Sequence, residues 1–160
     1  MTEYHMNKQE REIKDQDEIY GIIEKGLYAV ISMCRDNDPY IVTLNYGYDK
    51  ERNSLYFHSA QKGLKLDYIG ENPRVCATVI DDRGYLMGEC DHSYRSAVFW
   101  GNMYYIEDLK EKIHAMEVML HHLEDYPDKV RARLLKNEDR YNKVGILRLD
   151  IEKITGKAGK

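Results

Sequence analysis

Short segments in which bulky apolar residues alternate with small or polar ones dominate this sequence, and they restrict the folds open to it. The clearest segment covers residues 40–48, where the even positions are bulky and Thr43 and Asn45 lie on the other face. A period of two is typical of a β-strand that packs one face on a core. Residues 49–53 are a predicted hairpin loop and residues 54–59 alternate again, so these two strands are expected to pair.

Six strand segments are predicted in all, and turns rather than helices join most of them. The other four cover residues 27–34, 74–80, 96–106 and 143–151. Gly101 is expected to mark a bulge or a close approach of backbones, and residues 81–84 are predicted to form a turn. This order does not resemble alternating βαβ units. It predicts a mainly-β antiparallel barrel with peripheral helices, and an α+β sandwich is the alternative.

A few helices are predicted around these strands. A short helix is expected to end at Gly26, and Ser59 is expected to cap a second helix over residues 60–69. An apolar stripe at helical spacing predicts a long helix over residues 106–123, and a shorter one follows at residues 129–135.

The length of 160 residues suits one domain. Residues 1–14 are charge-mixed and poor in apolar side chains, so they are predicted to be a flexible N-terminal arm. Residues 15–160 are then a single domain, and the residues after position 151 are predicted to be a tail rich in glycine and lysine.

Charge and hydropathy exclude several classes of partner. Lys and Arg number 24 against 28 Asp and Glu, a net charge of −4 that argues against nucleic acid as the ligand. No segment approaches the ~20 uncharged apolar residues of a membrane helix, and the first residues lack a secretion signal. We therefore expect a cytoplasmic protein with no membrane partner.

No metal site is predicted. The three cysteines have no short-spaced pair, so they are expected to be free thiols, and Cys90 and His92 lack further ligands nearby. His114, His121 and His122 on the long helix are expected to be solvated. Glycine-rich dinucleotide, P-loop, serine-hydrolase and zinc-protease motifs are all absent from the sequence.

The strongest chemical signal lies in residues 55–67. His58 and Ser59 end a strand, a helix is predicted to follow, and Lys62 and Lys65 lie in its first turns. Helix N-termini attract anions, and the hydroxyl and the two ammonium groups would add hydrogen bonds and charge. The segment is a candidate phosphate site, although the same pattern also fits a capped surface helix with solvated lysines.

Several separated motifs, in order over residues 15–150, resemble the pyridoxamine 5′-phosphate oxidase-like, FMN-binding split barrels, and most of all their branch of 5-nitroimidazole resistance proteins. The motifs are Pro39-Tyr-Ile-Val-Thr-Leu-Asn-Tyr-Gly-Tyr48, Leu55-Tyr-Phe-His-Ser-Ala60, Gly63, Lys65, Asp67, Asn72-Pro-Arg-Val75 and Tyr94-Arg-Ser-Ala-Val98 with Gly101. The resemblance implies a six-stranded antiparallel split barrel that forms a homodimer, with FMN at the subunit interface. It does not specify the substrate pyridoxamine 5′-phosphate.

The resemblance also implies which residues hold the cofactor. The strand over residues 41–45 would run along the isoalloxazine ring, and His58, Ser59 and Lys65 would hold the 5′-phosphate. Lys62 would compensate for Leu64, because the family often has a basic residue there. His58 is also the candidate catalytic residue. The full set of cofactor-binding candidates is Val42, Thr43, Leu44, Asn45, His58, Ser59, Ala60, Lys62, Lys65, Arg95 and Ser96.

Two functions follow from the resemblance. The first is an FMN-dependent oxidoreductase that passes electrons from a reduced nicotinamide to a small electrophile, such as a nitroimidazole or other nitro-aromatic, a quinone or a pyridine-type compound. The second is a non-enzymatic flavin- or haem-binding protein, with His58 or His92 as the axial haem ligand. FAD and haem are accordingly the alternatives to FMN.

Overall fold

The computed structural model describes residues 6–159, which form one antiparallel sheet and five α-helices. The strands are β1 (Glu12–Ile13), β2 (Tyr28–Arg35), β3 (Asp38–Asp49), β4 (Ser54–Ser59), β5 (Arg74–Leu86), β6 (Asp91–Ile106) and β7 (Gly145–Ala158). The helices are α1 (Gln16–Lys25), α2 (Leu64–Glu71), α3 (Leu109–Leu123), α4 (Pro127–Leu134) and α5 (Glu138–Asn142).

The sheet closes on itself. Its strand order is β1-β7-β4-β3-β2-β5-β6, and β6 also pairs with β7, so six strands form a ring and β1 lies outside it. Every pair is antiparallel. The predicted mainly-β barrel with peripheral helices is therefore confirmed, and the sandwich alternative does not apply.

The main core fills the ring. Side chains from every strand of the ring point inward, and among them Tyr46, Phe57 and Phe99 are completely buried. Helix α1 adds Ile19, Ile22 and Ile23 to this core. The Tyr46 hydroxyl donates a hydrogen bond to the carbonyl of Ile23 at 2.5 Å, so the polar end of a buried ring is paired.

Helix α3 covers part of the outside of the ring and builds a second, smaller core around Tyr56 and Met119. A Cβ on Gly47 would lie 2.6 Å from the Met119 backbone, so helix and strand are in direct contact there. His114 Nε2 lies 2.6 Å from Asp49 Oδ2, and His122 Nε2 lies 2.7 Å from the carbonyl oxygen of Gly26. His122 is half-buried, so the prediction that it is solvated is wrong, whereas the side chains of His114 and His121 are 50% and 63% exposed, as predicted. Both His114 and His122 also join α3 to the barrel.

Two predicted boundaries in the second half of the chain are also wrong. Residues 81–84 continue β5 through a bulge between Asp82 and Tyr85, and the turn comes at residues 87–90. The residues after position 151 extend β7 instead of forming a tail. In both places a distant strand supplies the pairing partner, since β6 pairs with β5 as far as Leu86 and with β7 as far as Ala158.

The predicted arm overlaps ordered structure. Glu12 and Ile13 form β1, which pairs with Lys157 and Gly156 of β7, and the Ile13 side chain is buried. Residues 1–5 lie outside the described part of the chain, and flexibility of the arm stays a prediction. In the part of the chain that the structure describes, no helix is long and apolar enough to span a membrane.

Candidate functional site

The ring has an opening where β3 changes partner. Residues 38–45 of β3 pair with β2, whereas residues 46–49 pair with β4. Over residues 38–45 the other edge of β3 therefore carries no strand partner in the described part of the chain. Backbone N–H and C=O groups on such an edge are available to hydrogen-bond a ligand.

Asn45 and His58 flank this opening. The last residue pair between β3 and β4 is Tyr46 with Phe57. Asn45 is the residue before Tyr46 on β3, and His58 is the residue after Phe57 on β4. Both of those rings are buried inside the barrel, so Asn45 and His58, which are exposed, lie on its outer side.

The four candidates on β3 divide as their alternation predicted. Val42 and Leu44 are half-buried and pack against the core, whereas Thr43 and Asn45 are exposed. The Asn45 amide donates a hydrogen bond to the carbonyl of Leu27 at 3.0 Å, which fixes its orientation. Val42 and Leu44 can thus offer a ligand only backbone groups, while Thr43 and Asn45 also offer side chains.

The predicted start of the second helix is wrong. Helix α2 begins at Leu64, after Gly63 with φ of 140°, and no side chain caps it. Ser59 is still the last residue of β4, paired with Gly145, and its hydroxyl donates to the carbonyl of Ala60 at 2.9 Å. The helix therefore starts five positions later than Ser59, with its first N–H groups uncapped by any side chain.

This shift changes the positions of the two lysines. Lys65 is the second residue of α2 and is half-buried, whereas Lys62 is exposed and lies before the helix. Neither ammonium group forms an ion pair with a carboxylate among the described residues. A helix start with uncapped N–H groups and unpaired lysines is suited to binding an anion.

Arg95 and Ser96 lie elsewhere on the barrel. Asn45 pairs with Tyr28 of β2, and Ser96 pairs with Ile80 of β5, so three strand spacings, roughly 14 Å, separate Asn45 from Ser96. Arg95 donates two hydrogen bonds to Asp81, at 3.1 and 3.0 Å. Ile146 pairs with both His58 and Ile106, and Ser96 lies ten residues before Ile106 along β6, roughly 33 Å of extended strand, so Arg95 and Ser96 lie away from His58 within one chain.

The charge of Arg95 is balanced within the chain. Its hydrogen bonds to Asp81 are the main reason that the pKa of the Asp81 carboxyl lies below its usual value. Glu18 Oε1 lies 3.5 Å from Arg95 Nη1 on the other side. The guanidinium lines a cavity of about 300 Å³ together with Tyr28 and Ile80.

A second cavity adjoins His58, and the sequence did not predict it. Its volume is about 380 Å³, and it lies between α3, α4, α5 and the end of β4. The apolar stripe of α3 was the only sequence signal for it, and that stripe predicts packing equally well. Helix α5, which supplies one wall, was not predicted.

The outer face formed by β2, β3 and β5 exposes three large apolar side chains beside the polar Ser32, Thr43 and Asn45. Ile41 is 63% exposed, Tyr28 53% and Ile80 51%. Strand register places Tyr28 beside Asn45, so this face is continuous with the opening. Among residues 6–159, no three histidine, cysteine, aspartate or glutamate side chains are grouped to hold a metal ion.

The fold and these sites can now be compared with known proteins. The family model described as "Pyridoxamine 5'-phosphate oxidase" matches residues 15–158. The chain belongs to this family. The pyridoxamine 5′-phosphate oxidase-like family binds flavins, either FMN or FAD. The family resemblance inferred from the separated motifs is confirmed.

One curated relative is named "Uncharacterized protein RA0666", of Rhizobium meliloti (strain 1021). It is 32% identical over 69 residues, and the match covers 43% of this chain and 44% of that protein. Less than half of each protein is therefore compared.

Solved structures support the fold over nearly the whole chain. A proposed 5-nitroimidazole antibiotic resistance protein from Bacteroides thetaiotaomicron VPI-5482 matches with a TM-score of 0.75 and 24% identity, covering 98% of this chain and 96% of that one. An FAD- and haem-binding protein from Mycobacterium smegmatis has a TM-score of 0.76 and 15% identity, covering 94% and 74%. An FAD-binding protein from Mesorhizobium loti has a TM-score of 0.64 and 21% identity, covering 94% and 96%. At these identities the likeness concerns the fold alone.

Proposed function

We propose that the protein is a homodimeric, FMN-dependent oxidoreductase of the cytoplasm that reduces small electrophiles. Its acceptors would be nitroimidazoles, other nitro-aromatics, quinones or pyridine-type compounds. The observation that carries the proposal is the opening beside β3. There a backbone edge has no described strand partner, and the end of β4 is followed within five residues by an uncapped helix start and two lysines without a described carboxylate partner, in a family that binds flavins.

The helix start is suited to the phosphate. Lys65 and the first N–H groups of α2 would hold it, and Lys62 would add a second positive charge in place of Leu64. His58, and Ser59 after rotation of its hydroxyl away from Ala60, would complete the phosphate site. A doubly charged anion is well matched to two ammonium groups that have no carboxylate partner among residues 6–159.

The unpaired edge is suited to the ring. Backbone groups of Val42 and Leu44 would hydrogen-bond its polar edge, and the Thr43 and Asn45 side chains would add further contacts. These residues lie on a strand held by β2, so the donors and acceptors are fixed before the ligand arrives.

A second subunit would complete the site. Arg95 and Ser96 lie away from His58 within one chain, and a second copy docked on the outer face of β2, β3 and β5 would bring its own Arg95 and Ser96 to the site. Burial of Tyr28, Ile41 and Ile80 would stabilise that dimer.

When bound, the flavin would carry the two electrons of a hydride from a reduced nicotinamide to the acceptor, which takes up two protons, one from the hydride and one from solvent. His58 is the titratable side chain on the outer side of the barrel beside the opening, and it is the candidate proton donor at its imidazole nitrogen.

The alternative is a flavin- or haem-binding protein without catalysis. It is favoured by the structural neighbour that binds FAD and haem, and by the exposed imidazole of His58, which makes no hydrogen bond to another described side chain. His92 is less suited, because its Nε2 already lies 2.7 Å from Asp82.

The absorption spectrum of the purified protein, with the heat-released ligand identified by mass, separates these functions. The expected result is bound FMN, before or after incubation with excess FMN, and NADH- or NADPH-driven reduction of a quinone or nitro compound. A Soret band, or bound flavin without turnover of any acceptor, supports the alternative. A protein that binds neither flavin nor haem contradicts both.

A further inference from the structure

The cavity beside His58 has the properties of a ligand site. Its volume of about 380 Å³ lies within the range of small-molecule sites, roughly 300–1,000 Å³. Its walls come from three helices and from the end of β4. We propose that this cavity binds an uncharged, mainly apolar aromatic molecule, which is the electron acceptor of the oxidoreductase proposed above; the acceptor role rests on that function.

The walls of the cavity favour an apolar ligand. Eight of the eleven lining residues are apolar, including Met116 and Met119 of α3 and Val130 and Leu134 of α4. Methionine side chains are flexible and polarisable, so they adapt to flat aromatic molecules of different outline. Contact between an apolar molecule and these walls would remove water from both apolar surfaces, and this favours binding.

The rim selects against a phosphorylated ligand. It has one cationic side chain, Arg140, and one anionic side chain, Glu124. Their charges cancel, so a dianionic phosphate gains no net attraction there. Arg140 forms no ion pair within residues 6–159, so its guanidinium is available to donate a hydrogen bond to a carbonyl or nitro oxygen.

The cavity borders the proposed cofactor site at one residue, His58. His58 lines the cavity. It is also the residue after Phe57, where the pairing of β3 with β4 ends and the opening begins. The electron acceptor must lie beside the cofactor that reduces it. This cavity is suited to that position because His58 borders both the cavity and the proposed cofactor site.

Methionine methyl signals provide a direct test on the flavin-loaded wild-type protein. The probes are menadione, which is an uncharged quinone, and pyridoxine 5′-phosphate, and the protein carries ¹³C-methyl methionine. Menadione is expected to shift the Met116 and Met119 signals and to leave Met33 in the core and Met87, 86% exposed, unchanged. If menadione leaves Met116 and Met119 unchanged, or if the phosphate ester shifts them equally, the proposal is overturned.

Two tryptophan variants on α4 test the same site by affinity. Val130→Trp fills the cavity and is expected to raise the Kd for menadione about tenfold or more. Ala132→Trp lies on the exposed side of the same helix and is the matched control, with an unchanged Kd. Equal affinity in all three proteins contradicts the site. Circular dichroism verifies folding, and the wild-type methyl shifts decide the question even if Val130→Trp does not fold.

The two proposals fail in distinguishable ways. Flavin loading is read from absorbance, and menadione binding is read from methyl shifts that do not depend on turnover. Loaded flavin with unmoved Met116 and Met119 contradicts the cavity site alone. Shifted Met116 and Met119 in a protein that refuses flavin contradict the oxidoreductase and with it the acceptor role.

Discussion

Asp49 of β3 and His114 of α3 form a close contact that joins the helix to the barrel. The Asp49 side chain is only 7% exposed, and its Oδ2 lies 2.6 Å from His114 Nε2. Burial alone would raise the pKa of this carboxyl. Hydrogen bonds from His114 and from the backbone N–H of Arg52 outweigh burial, so the pKa lies below its usual value.

This lowered pKa predicts an acid-sensitive contribution to stability. A carboxyl whose pKa is lower in the folded than in the unfolded state contributes fully above its unfolded pKa of about 4, and the contribution is lost as pH falls through the folded pKa. Asp49→Asn is expected to lower the free energy of unfolding at pH 7 by about 1–3 kcal/mol, and by less at pH 3. Urea unfolding at both pH values measures this.

Asp125→Asn is the control, because Asp125 is exposed and its side chain forms no ion pair with a described residue. A difference between wild type and Asp49→Asn that stays the same from pH 7 to pH 3 would show that Asp49 titrates normally.

Lys65 is the main residue of the proposed phosphate site, because it is inside α2 and half-buried. Lys65→Ala is expected to weaken FMN binding by about 1–3 kcal/mol, the effect of one charge-assisted hydrogen bond, with the fold intact. Titration calorimetry measures the affinity. Lys110→Ala, on the exposed side of α3, is the control, and an unchanged FMN affinity in Lys65→Ala removes Lys65 from the site.

At the scale of elements, the pairing of β6 with β7 depends on one glycine. The β6–β7 register shifts between Trp100 and Gly101, and a Cβ on Gly101 would lie 1.8 Å from the carbonyl oxygen of Asp150. That oxygen belongs to the backbone of β7, which is paired with a strand on each side, so moving it away would cost hydrogen bonds and packing energy.

Gly101→Ala is therefore expected to cost about 3 kcal/mol of stability or more. Gly21→Ala is the matched control, because Gly21 lies inside α1 with open space around its Cβ position, and alanine there is expected to stabilise by about 0.5–1 kcal/mol. Thermal and urea unfolding measure both. Similar stabilities of the two variants would contradict the close approach at Gly101.

At the scale of the whole molecule, the outer face formed by β2, β3 and β5 predicts self-association. Large apolar side chains exposed on one sheet face favour an interface, and Ile41, Tyr28 and Ile80 are each more than half exposed. Ile41 is the most exposed of the large residues on this face, at 63%. Its position on β3 also links the face to the proposed cofactor site.

Ile41→Asp is expected to convert a dimer into a monomer and to lower FMN occupancy, because it places a charge in the proposed interface. Size-exclusion chromatography with light scattering gives the mass, and absorbance gives the occupancy. Tyr126→Asp, at a side chain 66% exposed on a different surface, is the control. A monomeric wild type, or a dimeric Ile41→Asp with full FMN, contradicts the proposed assembly.

Sequence reasoning succeeded where short-range signals decide structure. Alternation placed β3 and its two faces, the loop before Ser54 placed the β3–β4 hairpin, and Gly101 was expected at a close approach. Each of these depends on neighbouring residues or on backbone freedom at one position, and both are visible in sequence.

It failed where a distant partner decides. Residues 81–86 continue β5 because β6 pairs with them, and the residues after 151 are a strand because β6 lies beside them. The same limit explains the missed cavity, since α3, α4 and α5 enclose it only after they pack against the barrel.

The sequence by itself determined the mainly-β class and the family, and its choice of ligand-binding residues on β3, β4 and α2 stays a prediction. Only the tertiary structure decided that Arg95 and Ser96 lie away from His58, that α2 starts uncapped at Leu64, and that a cavity adjoins His58. The reason is physical: alternation, turns and motifs act between near neighbours, whereas ring closure and helix packing join residues far apart in the chain.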